Sequence, residues 1–193
     1  MWPWEHLAIG YAIYSGFRRL SAGESPGARE TVLLAVGTQF PDLVDKPLAW
    51  SFGVVPSGLS VAHSLFFALP ICALVFAVAR RRGRKPLGAA FVIGYLSHLP
   101  ADMVYGLLTG GSLGYEFLFW PVLYRTAEVG ETTFLLQVGY FVGQFQQFLG
   151  TPLGKLYVAF EMTLLGAVLV LWARDGYPPL GPFTGRSTNS TDA

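Results

Sequence analysis

The stretch V-A-H-S-L-F-F-A-L-P-I-C-A-L-V-F-A-V-A over residues 61–79, closed by R-R-R-G-R-K over residues 80–85, decides what kind of protein this is. A membrane-spanning helix needs about 20 consecutive apolar residues, and this run meets that length before a block of cations stops it. Basic loops favour the cytoplasmic face of a membrane, so the junction that follows residue 79 is placed inside. Beyond it a second apolar run extends from Pro86 through G-A-A-F-V-I-G-Y-L-S-H-L-P-A-D-M-V-Y-G-L-L to Leu108.

Working outward, a first helix is expected from about Trp4 to Leu20. The turn-rich loop S-A-G-E-S-P-G-A-R follows it, and a second apolar helix runs from Glu30 to Pro41-Asp42. Gly53, Pro56, Ser57 and Gly58 mark the loop before the opening stretch. After Gly110-Gly111 the piece G-Y-E-F-L-F-W-P-V-L-Y (residues 114–124) is short and aromatic, and it reads as lying at the membrane surface. Residues 132–149 carry four glutamines and read as an interfacial or partly buried helix, whereas Lys155 to Arg174 reads as a true span. The expected fold is all-α: a polytopic membrane helical bundle of about 4–5 spanning or interfacial helices. Residues 1–175 form its single domain, and residues 176–193 form a polar, disordered tail.

Composition agrees. Hydrophobic residues are 52% of the 193 and charged residues 13%, and the mean hydropathy is +0.46. Aromatic residues, 15% of the chain, are of the kind that gathers at membrane interfaces. A net charge of +1 gives no global attraction to nucleic acid, so none is expected as a partner. M-W-P-W-E-H at the start lacks a basic leader, and the first segment reads as a retained helix. The single cysteine, Cys72, reads as an apolar spacer facing the membrane.

Against this background the polar islands stand out. They are Glu5 and His6, Asp42 and Asp45 in P-D-L-V-D-K, His63 with Ser64, and His98 with Asp102 in H-L-P-A-D. Carboxylates and imidazoles are costly in apolar surroundings unless they pair, hold a proton or hold a metal. Topology gathers them. With residues 80–85 inside, Arg18, Arg19 and Arg29 also fall inside, and so does Arg174 if the glutamine-rich segment does not span. Glu5 and His6 then open the first helix at its outer end, Asp42 and Asp45 close the second there, and His63 starts the third there. His98 lies ~20 Å along its helix from Lys85, again in the outer half. The site is expected to face the outer, non-cytoplasmic side of the cell membrane.

His98 and Asp102 are four apart, so on a helix they share a face and can converge on one ion. Pro100 between them should disturb the helix. Imidazole nitrogen with carboxylate oxygen suits zinc, and also manganese or iron. Such an ion lowers the pKa of water toward neutrality. A carboxylate left over from the ligand set, Asp42 or Glu5, is placed to orient that water or take its proton. Lys46 either neutralises an anionic substrate or pairs with Asp45. Adjacent residues on a helix do not face each other, so Ser64 reads as a cap or a hydrogen-bonding support rather than a nucleophile. Glu161, inside the last span, is expected to snorkel to the outer interface, and Glu116, Glu128 and Glu131 read as solvated loop charges.

At these residues the chain resembles the membrane-bound metal-dependent hydrolases, formerly a domain of unknown function. The likeness covers roughly Trp4 to Tyr124: an early His (His6), P-D-x-x-D (Asp42, Asp45), an H-S pair opening a hydrophobic helix (His63, Ser64), H-x-x-x-D (His98, Asp102) and a later stretch from Gly114 to Pro121. The usual P-D-x-D is widened by one residue, which leaves open which Asp is the ligand. The order is also similar to part of the zinc-dependent phospholipase C and P1-type nuclease group. That likeness implies that Asp45, His63, His98 and Asp102 hold one zinc and that His6, with Asp102 bridging, holds a neighbouring one. No histidine follows His98, so one or two ions is the ceiling. The implied activity is hydrolysis of a small-molecule or lipid phosphoester by metal-activated water, with membrane lipid as partner. Two rival readings are an ion- or proton-coupled transporter and a non-catalytic membrane scaffold with a structural metal.

Overall fold

The computed structural model describes residues 1–109, 111–123 and 133–181. The loop reading of Glu128 and Glu131 and most of the expected tail, residues 182–193, lie outside these. Six α-helices are present among the described residues, and no strand: α1 Pro3–Ala22, α2 Ala28–Trp50, α3 Leu65–Arg81, α4 Lys85–Leu108, α5 Phe134–Leu149 and α6 Pro152–Arg174. A single 3-10 turn, Glu116–Phe119, stands where the aromatic piece was expected.

Local chemistry sets the helix ends. Pro3 opens α1, where its missing N–H costs nothing. The Glu5 carboxylate accepts the Trp2 backbone N–H at 2.6 Å. Gly23 closes α1 in the left-handed region, at φ 68°, which glycine adopts without a Cβ clash. Ser64 caps α3: its Oγ accepts the Phe66 N–H at 3.2 Å and donates to the Trp120 carbonyl at 2.6 Å. Thr151 caps α6 in the same way, accepting from Gly154 at 3.0 Å.

Two boundaries differ from the sequence reading. Helix α2 does not end at Pro41-Asp42; it continues through Pro41 and Pro47 to Trp50, so Asp42 and Asp45 sit inside a helix. Helix α3 begins at Leu65, after His63, and has 17 residues, which span ~26 Å against the ~30 Å of a bilayer core. The clearest span in the sequence is thus short once its polar start is folded into a turn. Among the described residues two helices, α4 and α6, are long and apolar enough to cross a membrane, and of these α4 has half of its apolar window buried inside the protein. Helix α6 buries 11% of its window, and Leu156, Met162 and Leu169 stand more than half exposed. An apolar exposed face of this kind marks a surface meant for an apolar environment.

Three helices form the centre of the bundle. α2 and α4 run side by side in the same direction, with α1 antiparallel to both, as the contacts Tyr14 to Pro86 and His6 to His98 show. Glycines allow the close approach. A Cβ on Gly37 would lie 2.4 Å from the Phe91 carbonyl oxygen, one on Gly94 2.5 Å from that of Leu34, and one on Gly10 2.5 Å from the Thr38 methyl. Tyr11, Tyr14, Leu34 and Ala90 fill the core between these helices. A second core, including Cys72, Phe91, Tyr95, Leu99 and Phe117, seats α3 on α4. Cys72 therefore faces protein, not lipid.

The basic and polar residues separate by end. Arg18 and Arg19, the Arg80–Arg82 run and Asp175 lie at one end, linked by Tyr14 to Glu30 and by Asp175 to Ser15 and Arg19. Asp42, His63, His98 and the N-terminus of α1 lie at the other. Helix α5 packs across this second end, its Phe134, Phe141 and Phe145 meeting Trp50 and Trp2.

Candidate metal centre

Four side chains from three parts of the chain meet at one point. Asp42 comes from α2, His63 from the turn before α3, and His98 and Asp102 from one face of α4. One ligand atom from each lies within 4.8 Å of the others. His63 Nε2 is 3.1 Å from His98 Nε2, 3.4 Å from Asp102 Oδ2 and 3.6 Å from Asp42 Oδ1. His98 Nε2 is 3.1 Å from Asp102 Oδ2 and 3.9 Å from Asp42 Oδ1. α4 runs unbroken through Pro100, so the i, i+4 geometry expected of His98 and Asp102 holds.

The partners behind the imidazoles fix which nitrogen faces inward. His63 Nδ1 is 2.8 Å from Asp45 Oδ2, and His98 Nδ1 is 2.7 Å from the Thr38 carbonyl oxygen. A carbonyl only accepts, so His98 Nδ1 donates to it, and in the neutral ring its Nε2 presents a lone pair. In the neutral ring His63 does the same, donating from Nδ1 to Asp45. Two nitrogen lone pairs and two carboxylate oxygens then crowd one small volume, three of the four residues fully buried or nearly so. These atoms repel unless positive charge sits among them. Asp42 Oδ1 is buried with no hydrogen-bond donor. Burial alone would lower the His63 imidazole, but its hydrogen bonds to the Asp102 and Asp45 carboxylates outweigh this and raise it to about 9. Lys46 meets the other Asp42 oxygen and the Met1 amino group the other Asp102 oxygen, and a proton on His63 or a divalent cation in the centre would each place positive charge on the inward side. Two nitrogens and two oxygens on a site of this size fit a zinc-like cation.

Which aspartate of P-D-L-V-D-K faces the group was open in the sequence, and the likeness implied Asp45. Asp42 joins the four, while Asp45 stands behind His63. Asp45 Oδ2 accepts from the Ser60 N–H at 2.9 Å and the His63 N–H at 3.1 Å, and its Oδ1 accepts from the Ala62 N–H at 2.9 Å. Its oxygens are thereby committed to the 60–63 turn and to the imidazole. This is the carboxylate–histidine pairing that orients metal-binding imidazoles. The three-residue spacing put both aspartates on one face of α2; only the fold of residues 51–64 around Asp45 distinguishes them.

The remaining expected residues lie close by in other parts. His6 stacks on His98, ring centroids 3.7 Å apart and 17° between planes. Its Nε2 is 3.2 Å from Asp102 Oδ1, yet neither ring nitrogen makes a hydrogen bond. Asp102 Oδ1 also accepts from the Met1 amino group. Glu5 is turned from the group, one oxygen accepting from Trp2 and the other from the Tyr157 hydroxyl. Lys46 pairs with Asp42, not Asp45, Nζ to Oδ2 at 2.5 Å, and lies 5.7 Å over the Trp50 ring. Glu161 does not snorkel: it is 7% exposed and accepts from the Trp4 indole N–H. Sequence reasoning missed Thr38 and Tyr95. Thr38 acts through a backbone carbonyl, which any residue type supplies. The Tyr95 hydroxyl holds the Ala62 carbonyl at 2.6 Å and so steadies the His63 turn.

Compared with known proteins, the chain matches the family model described as YdjM inner membrane protein over residues 1–176. No curated protein and no solved structure matches it.

Proposed function

The chain belongs to the YdjM inner membrane protein family, and on that premise we propose that it is a membrane-embedded, metal-dependent hydrolase acting on a phosphoester, with membrane lipid the nearest source of substrate. The family description names the membrane and no reaction, so the hydrolytic part rests on the site. The observation that carries it is the pair of inward-facing Nε2 atoms 3.1 Å apart with Asp42 and Asp102 oxygens around them. Asp42, His63, His98 and Asp102 would hold the ion. When bound, a divalent cation of this kind activates water near neutral pH and polarises a phosphoryl oxygen. The chain supplies the rest. Asp45 and the Thr38 carbonyl hold the two imidazoles in the ligating tautomer. Lys46, a quarter exposed beside Asp42, is a cationic side chain paired with a member of the ligand set and is placed to meet an anionic substrate. His6, buried beside Asp102 with both nitrogens free of hydrogen bonds, is placed to take or give a proton or to reach a second ion. In this reading four or five helices span or lie in the membrane and the site faces the non-cytoplasmic side; the separation of the arginine-rich end from the aspartate–histidine end supports that orientation.

The test is metal analysis of protein purified without chelators, paired with hydrolysis assays on a chromogenic phosphodiester and on phospholipid vesicles. Stoichiometric metal in the wild type is expected, lost in His98→Ala with helix content retained. A wild type free of metal under these conditions sinks the reading. One observation favours a second reading: His63 and His98 are fully buried, and four protein ligands would leave a zinc-like ion no open position, as in closed structural sites. Metal retained without turnover on either substrate class would decide for a structural ion.

A further inference from the structure

The densest charge in the chain has no partner within the fold. Arg80, Arg81, Arg82, Arg84 and Lys85 fall within six residues at the α3–α4 turn. All five are exposed, and among the described residues their side chains make no ion pair, hydrogen bond or ring contact. The carboxylates described at this end are already taken. Glu24 and Glu30 meet Arg18, and Asp175 meets Arg19, Ser15 and Tyr11. Helix stability does not account for the block either. Arg80 and Arg81 suit the negative C-terminal end of α3, but Arg84 and Lys85 sit at the positive N-terminal end of α4, whose first turn holds no acid. The turn is also tied. The Arg82 N–H donates to the Val78 carbonyl at 3.1 Å, the Gly83 N–H to that of Arg80 at 3.1 Å and the Arg84 N–H to that of Ala79 at 2.8 Å. Gly83 takes φ 68°, the left-handed conformation that lets the chain reverse here. Cations held this close repel one another, and an anion among them relieves it.

The face that the turn caps says what carries that anion. Leu74, Val78 and Arg81 are spaced i, i+4, i+7, so they share one face of α3. That face is the outward one. Leu74 is 66% and Val78 40% exposed, whereas Ala68 and Cys72, on the far side, are buried in the core shared with α4. Ala79 is on that far side too: a Cβ on Gly88 of α4 would lie 2.8 Å from its own. In a protein of an inner membrane family, an exposed apolar helix face is a surface for acyl chains. Arg81 lies three residues past Val78, ~4.5 Å further along the axis. Apolar surface therefore gives way to cations within one helical turn. A phospholipid has the same profile, acyl chain first and phosphate next. A free phosphate or a nucleic acid would use only the charged half. Guanidinium groups bind phosphate oxygens through paired hydrogen bonds, and clusters of four or more basic residues beside a span attract anionic lipid.

We infer that the 80–85 turn binds the headgroup phosphate of an anionic phospholipid whose acyl chains lie along the Leu74–Val78 face of α3. The inference rests on the membrane setting of the chain and stands apart from the metal reading.

The experiment is native mass spectrometry of the full chain in mild detergent micelles supplied with equal amounts of phosphatidylglycerol and phosphatidylcholine. The wild type is expected to retain phosphatidylglycerol in preference by about fivefold or more, the worth of one juxtamembrane cation. Arg81→Gln, Arg82→Gln and Arg84→Gln combined are expected to bring the ratio to about one with helix content unchanged. The same three positions changed to Lys should keep the preference, as should Lys155→Gln, which removes a cation at the opposite end of α6. A wild type without preference, or a triple Gln variant that retains it, overturns the inference. So does a loss as large in Lys155→Gln, which would mean diffuse attraction, or displacement of the lipid by inorganic phosphate, which would make a free anion the ligand. If the triple variant misfolds, the wild type decides: raising ammonium acetate from about 0.1 to about 1 M cuts the screening length from about 10 to about 3 Å. The preference should then shrink, and an unchanged ratio refutes a charge-held headgroup.

Discussion

At the residue scale the candidate site is a question of which carboxylate does what. Asp45 touches no other member of the group than His63, yet it fixes that ring and its turn through four hydrogen bonds. Asp45→Asn is expected to weaken metal binding about 10–100-fold, the usual effect of removing such a partner, while leaving all four ligand side chains in place. Isothermal titration with zinc checks this, and unchanged affinity would remove Asp45 from the site. A second carboxylate, Asp175, ties the end of α6 to α1 through Ser15, Tyr11 and Arg19. Burial pushes its carboxyl up, but hydrogen bonds from Ser15, Tyr11 and Arg19 outweigh this and hold it below the ordinary carboxylate range. A carboxyl depressed in the folded state stabilises it fully above the unfolded pKa of about 3.9 and loses that contribution as pH falls through the folded value. Thermal unfolding in detergent should therefore show Asp175→Asn destabilised at pH 7 and closer to wild type near pH 3. A pH-independent difference would mean that the charge is not what matters.

At the element scale the α2–α4 contact decides stability, and glycine decides the contact. Gly37→Ala would set a Cβ against the Phe91 carbonyl, which is backbone and has little room to give. A loss of about 1–3 kcal/mol is expected from such overpacking. Gly16→Ala, in α1 with nothing within 4 Å of the new Cβ, is expected to stabilise by about 0.5–1 kcal/mol instead. Melting temperatures of the two variants measured side by side check the opposite signs. The same helices show what sequence patterns conveyed. The H-x-x-x-D of α4 was legible because i and i+4 meet on any helix. The extent of α2 was not: two prolines and three charges near its end read as a stop, but packing against α4 carries it to Trp50.

At the scale of the whole molecule, the charge asymmetry makes a claim about orientation. In a Cys72→Ala background, Gly83→Cys in the basic turn should react with a membrane-impermeant maleimide only after the membrane is opened. Ser57→Cys, in the loop beside Lys46, should react in intact cells. The reverse pattern would put the aspartate–histidine end inside and remove the outer-facing site. Helix α5 lies across that end and carries exposed Leu135, Leu136 and Tyr140.

The sequence by itself determined the all-helical class, the apolar runs, the basic turn and which residues were worth watching. These depend on composition and on spacing within one helix, which are local. Only the tertiary structure decided that Asp42 enters the group and Asp45 supports His63, that His6 stacks beside His98, and that the Thr38 carbonyl sets the tautomer of His98. Those outcomes turn on how three glycine-packed helices and the 51–64 turn approach one another. Residues from 18 positions apart (Asp45 and His63) to 92 (His6 and His98) are set against each other there, and no periodicity in the chain records such a contact.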